Sequence, residues 1–169
     1  MQIEIEFGKR LVENYRFFGE YIYSPRSVLY PGCSDDASPA IGFPDADVTF
    51  LDVLEEPIQA LMACGDTAIK GNIQRYAPQE LHDLLILTTP GMPARLATPH
   101  LEEHGYVISD DQNEDDPGIT SQLLEDDAFD LVGLLDGDPL RLFAEKDVVL
   151  RRIQEDPLLL SVFRKKVIR

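Results

Sequence analysis

The chain is poor in cysteine, in basic residues and in long apolar runs, and each shortage removes a class of protein. Of 169 residues only Cys33 and Cys64 are cysteines. They lie far apart and neither has a thiol neighbour, so neither a disulfide framework nor a cysteine zinc site can be built. Both are expected to be buried thiols in a reducing compartment. Lysine and arginine total 15 against 31 acidic residues, a net charge of −16. Such a surface repels phosphate backbones, so nucleic acid is not expected as a partner. Residues 1–20 hold Glu4, Glu6, Glu13 and Glu20 with no continuous apolar run. That reads as neither a secretory signal nor a membrane span, and a cytoplasmic protein is expected. No internal repeat is visible.

The remaining composition is ordinary: 44% apolar and 27% charged residues suit a globular fold, and the length suits one domain. Residues 1–169 are therefore read as a single unit, with an N-terminal helix (1–25), a core (26–146) and C-terminal helices (147–169).

Periodicity gives the elements. Leu11, Tyr15, Phe18 and Ile22 fall at spacings of four, three and four, one face of a helix that ends at Ser24-Pro25. Met1 to Phe7 fits either a strand or a continuation of that helix, and helix is preferred. Short apolar runs follow at 28–30, 48–51, 84–87 and 106–108, as expected of strands buried on both faces. Helices are expected at 56–64 before Gly65 and at 92–104 before Gly105, because glycine is favoured just past a helix. The segment between the first two runs is broken by Pro39, Gly42 and Pro44, which leaves room for about two helical turns at most. Strand and helix alternate, so the sheet is expected to be parallel through its first five strands. Residues 129–135 and 140–144 flank Asp136-Gly137-Asp138-Pro139 and read as an antiparallel pair. Two helices should close the chain, 146–154 and one opened by Asp156 and Pro157 that ends basic at Arg164, Lys165, Lys166 and Arg169. From Leu96 to Leu140 there is no lysine or arginine, and residues 110–127 carry eight acidic ones, read as a solvated loop or helix edge.

Open α/β sheets bind ligands at the carboxyl ends of their strands, which directs attention to Tyr30-Pro31-Gly32-Cys33-Ser34-Asp35-Asp36 after the first run. Asp52, twenty residues after Gly32, ends the next run at the spacing of a ribose-binding carboxylate. Asp35, Asp36 and Asp52 are expected to crowd one rim.

With these residues in place, the stretch from about Ser27 to Lys146 resembles the S-adenosylmethionine-dependent methyltransferase family. The family's first strand ends in an acidic residue, any residue, glycine, any residue, glycine; here those positions hold Tyr30, Pro31, Gly32, Cys33 and Ser34. The acidic residue and second glycine are thus replaced. Asp52 matches the family's ribose carboxylate and Asn72 the position that commonly meets adenine. His82-Asp83 with the run 84–87 resembles the fourth strand, and residues 100–108 the junction into the fifth. The resemblance implies a three-layer Rossmann-like α/β fold with an antiparallel C-terminal pair, S-adenosylmethionine as cofactor, Tyr30, Gly32, Ser34, Asp52 and Asn72 at its site, and methyl transfer to a small molecule or protein. Neither a base nor an oligomeric state follows from it.

Two alternatives stand beside it. One is a non-catalytic binding or assembly module on the same fold. The other is a zinc hydrolase, since His100-Leu101-Glu102-Glu103-His104 fits a His-x-x-Glu-His pattern on one helical face. No third protein ligand accompanies the pair, so no metal site is assigned. His82 is expected at the surface or at a cap.

Overall fold

A computed structural model describes residues 2–88, 90–112 and 118–167. The first element is helix α1 (Gln2–Tyr21), which takes in the ambiguous opening residues from Gln2 on. Leu11, Tyr15 and Phe18 of that stripe are buried. There follow β1 (Ser27–Pro31), α2 (Ser38–Gly42), β2 (Asp47–Asp52), α3 (Glu55–Ala63), β3 (Thr67–Lys70) and β4 (His82–Leu87). The second half comprises α4 (Ala94–Ala97), β5 (Leu101–Ser109), α5 (Ile119–Leu124), β6 (Phe129–Asp136), β7 (Arg141–Phe143), α6 (Lys146–Glu155) and β8 (Leu160–Lys165).

One sheet holds the eight strands in the order β3-β2-β1-β4-β5-β8-β6-β7. The first five pair in parallel, as expected, while β8, β6 and β7 pair antiparallel. Alternation along the strands supplies both faces. Val28, Tyr30, Phe50, Leu84 and Ile86 pack with α1 and α3 on one side. Leu29, Leu51, Leu85, Leu87 and Val107 pack with α4 and α5 on the other. The result is a three-layer α/β fold, with α6 covering β6 through Val149 and Ile153 against Leu134. None of the described helices is long and apolar enough to cross a membrane.

Three expectations are corrected. The chain does not end in a helix: Leu160–Lys165 is a strand inserted between β5 and β6. Asp156 and Pro157 do form a turn, but Leu160 and Val162 face one core while Phe163 faces the other, which is strand alternation. The helix expected over 92–104 shrinks to α4 and one 3-10 turn at Thr98–His100, because Pro99 interrupts it. Gly105 is not a helix cap but a strand residue, where a Cβ would stand 2.5 Å from Leu101 Cδ1. Third, Cys33 is buried but Cys64, just past α3, is exposed. The short α2, with Pro39 in its first turn, agrees with the broken segment read from sequence. A Cβ on Gly42 would stand 2.5 Å from Tyr15 Cβ, so its lack of a side chain lets α1 lie close to α2.

Candidate nucleoside-binding cleft

The carboxyl ends of β1, β2 and β4 meet at Gly32. Its φ of +64° lies in the left-handed region, which glycine enters without strain. A Cβ there would overlap the Pro90 carbonyl group and stand 2.7 Å from Pro90 Cα, so the loop after β4 rests on the glycine backbone. Ser34, at the position of the family's second glycine, also has a positive φ of 50°, uncommon for a residue with a side chain.

Two cavities open beside this contact. One, of about 430 Å³, is lined by Gly32, Asp52, Val53, Asn72, Pro90 and Met92 among others. The other, of about 420 Å³, is lined by Tyr30, Gly32, Ser34, Asp36, Thr88 and Gln112 among others. Gly32 is common to both linings. The loop runs between them, with Thr88 on the second and Pro90 to Met92 on the first.

Asp52 ends β2 and is only 8% exposed, though it lines the first cavity. Its Oδ2 accepts the Ser34 N–H at 2.8 Å and its Oδ1 accepts the Leu54 N–H at 2.9 Å. These bonds fix the carboxylate plane and leave each oxygen a further lone pair for hydroxyl donors. Asn72 follows β3, and its Oδ1 accepts the Gln74 N–H at 2.9 Å, so its amide group remains as a donor.

The other expected residues lie at the second cavity. Tyr30 turns into the core, 3% exposed, donating its hydroxyl to Asp36 Oδ2 at 3.0 Å and sharing a 2.7 Å bond with Thr88. Burial, with Tyr15 and Asp36 nearby, holds its pKa well above that of a free phenol. Asp35 and Asp36 line the second cavity and Asp52 the first, so the expected single acidic rim is divided in two by Gly32 and Pro90. Burial and the Asp52 charge push the Cys33 thiol up to about 12, which keeps it a thiol at neutral pH and no nucleophile.

The helical face behind the zinc reading is absent. His100 closes the 3-10 turn with Nε2 3.2 Å from the Ile73 carbonyl, and His104 lies in β5 with a φ of 65°. Among the described residues no group of three histidine, cysteine or acidic side chains is placed to hold a metal. His82 is buried rather than superficial: Nδ1 meets Ser27 Oγ at 2.8 Å and Nε2 meets the Tyr76 hydroxyl at 2.9 Å. Thr88, Pro90 and Met92 line the cavities with no signal in the sequence beyond their place just after the apolar run 84–87, at the carboxyl end of a strand.

No family model and no curated protein matches the chain in sequence. Solved structures match its fold. The N-methyltransferase NodS from Bradyrhizobium japonicum WM9 aligns over 97% of this chain and 97% of its own with a TM-score of 0.66, at 14% identity. The same enzyme in complex with S-adenosyl-L-homocysteine aligns over 94% and 87% with a TM-score of 0.63, at 16% identity. The plantazolicin methyltransferase BpumL, also in complex with S-adenosylhomocysteine, aligns over 98% and 90% with a TM-score of 0.60, at 13% identity. The chain thus has the Rossmann-like methyltransferase fold.

Proposed function

We propose that this chain is an S-adenosylmethionine-dependent methyltransferase-like protein that holds its cofactor by the adenosyl end in the Asp52 cavity. The observation that carries the reading is Asp52 itself. It is a nearly buried carboxylate whose two oxygens are fixed by backbone N–H groups at the mouth of a cavity beside a glycine turn. A carboxylate so held accepts two vicinal hydroxyls by charge-assisted bonds, as a ribose presents them. Asn72 would donate to a ring nitrogen of the base, with Val53 and Ile73 supplying apolar walls. The donor set and volume fit an adenosyl group.

The cofactor, when bound, supplies the transferable methyl group; the chain supplies binding and orientation. NodS and BpumL are methyltransferases crystallised with S-adenosylhomocysteine, which supports the same cofactor here. The acceptor is a small molecule or a protein, held beyond Gly32.

Pro90 resting on Gly32, and Ser34 in place of the second glycine, favour a second reading in which the same fold binds without catalysing. Isothermal titration calorimetry separates the two. Wild-type protein should release heat with S-adenosylmethionine and S-adenosylhomocysteine, and Asp52→Asn should bind about ten- to a hundredfold more weakly. No heat from either ligand at high protein concentration would favour the non-catalytic module.

A further inference from the structure

The wall of the Asp52 cavity includes Gly71, Asn72, Ile73 and Gln74, which belong to the link from β3 to β4. That link, residues 71–81, runs from the carboxyl end of β3 to the amino end of β4 without helix or strand, and of its side chains only Ile73 is buried. Apolar burial alone therefore holds it weakly. Two histidines hold it as well. Nε2 of His82, on β4, meets the Tyr76 hydroxyl at 2.9 Å, and Nε2 of His100, in the 3-10 turn after α4, donates to the Ile73 carbonyl at 3.2 Å. The Tyr76 ring lies against both imidazoles, its centroid 5.9 Å from that of His82 and 5.3 Å from that of His100. The other His82 nitrogen meets Ser27 Oγ at 2.8 Å, and His82 is only 4% exposed.

Resting on the reading that this cavity takes the adenosyl group, we propose that Tyr76, His82 and His100 form a clip that positions Asn72 and Ile73 for the cofactor and releases them when His82 takes up a proton. Tyr76 is then a positioning residue, acting on the ligand through the link that it anchors. A neutral imidazole between two hydroxyls donates to one and accepts from the other. An imidazolium only donates, so one of the two hydroxyls loses its acceptor. The new charge would also stand buried beside His100. The carboxylate next to it, Asp83, is already engaged by the Tyr23 hydroxyl, by the Arg26 and Ser27 N–H groups and by the Arg26 guanidinium at 3.9 Å. Letting the link go admits water to the ring and relieves that cost. Burial, with His100 beside it, holds the His82 pKa below its ordinary 6.5, so the clip is closed at neutral pH with or without ligand and opens as the pH falls below 6.5. A ligand that needs the closed clip excludes the proton, and the proton weakens the ligand in the same measure.

Calorimetric titration of wild type with S-adenosylhomocysteine, whose own charge is constant across the range, tests this between about pH 7.5 and about pH 5.5. Affinity should fall about three- to tenfold towards the acid end, with circular dichroism reporting the fold at each pH. His82→Gln offers the two hydroxyls an uncharged donor and acceptor; it should bind as wild type does at neutral pH and lose the pH dependence. Tyr76→Phe keeps the ring and removes the hydroxyl; it should bind about three- to tenfold more weakly at neutral pH, with a flattened profile. A wild-type affinity that is flat across the range, or that falls only where the dichroism shows unfolding, overturns the clip and leaves the Asp52 reading intact. So does a His82→Gln profile as steep as that of the wild type. Wild-type protein that binds no ligand at neutral pH overturns both. A measurement on wild type needs no variant to fold: followed by NMR, the His82 ring should titrate at a lower pH with S-adenosylhomocysteine bound than without it. The same midpoint in both states would refute the coupling.

Discussion

The two ends of the parallel strands are built differently. At the amino ends, polar side chains are buried and matched. Asp83 accepts the Tyr23 hydroxyl at 2.9 Å and the backbone N–H groups of Arg26 and Ser27 at 2.9 Å each. Beside it His82 is held between Ser27 and Tyr76, with the Tyr76 ring stacked at 5.9 Å. At the carboxyl ends, Gly32 and Ser34 have positive φ, the Tyr15 and Ser38 hydroxyls have no hydrogen-bond partner, and two cavities open. Matched polar groups contribute to stability, whereas strain and unmet hydrogen bonds are tolerated where a ligand binds. The contrast separates a locking end from the end at which the proposed cofactor site opens.

The largest effect should come from Asp83→Ala, which leaves a half-buried tyrosine hydroxyl and two backbone N–H groups without their acceptor. Urea denaturation should show a loss of roughly 3 to 5 kcal/mol, while the variant that remains folded keeps wild-type affinity for adenosyl ligands. Weakened binding at unchanged stability would break the contrast. Gly32→Ala should act on both properties. The left-handed backbone and the overlap with Pro90 should cost about 1 to 3 kcal/mol, and displacement of residues 90–92 should speed amide hydrogen exchange there.

The smallest effect is a pH dependence. Burial, with the nearby His100, lowers the His82 pKa below its ordinary 6.5. The folded imidazole resists a proton that the unfolded chain accepts, so stability is complete above about pH 6.5 and declines as the pH falls below it. Unfolding free energies between pH 7 and 5 should fall in the wild type and fall less in His82→Gln. Equal slopes would mean that the histidine is not held neutral.

The binding end was the more legible in sequence. Apolar runs such as 84–87 mark strands buried on both faces, and chain order put Gly32 and Asp52 at neighbouring strand ends, while Asn72 followed from the family resemblance. What Tyr30 does was not legible, since a tyrosine's partner six residues on depends on the turn between them. The antiparallel end misled for a related reason. Asp156-Pro157 opens a helix on local rules, and only the gap between β5 and β6 makes a strand of Leu160–Lys165. Gly105 likewise resembles a cap in sequence, whereas in the fold Leu101 fills the space over its Cα. His82 looked superficial because its partners, Ser27 and Tyr76, come from other elements.

The most direct test of the division is a titration of isotope-labelled protein with S-adenosylhomocysteine, followed by amide chemical shifts. Shifts should concentrate at Gly32, Ser34, Asp36, Leu54, Asn72 and Gln74, with those of Ser27, Tyr76, His82 and Asp83 unmoved. Shifts confined to the amino-end residues, or none anywhere at saturating ligand, would contradict the assignment of the carboxyl-end cleft as the cofactor site.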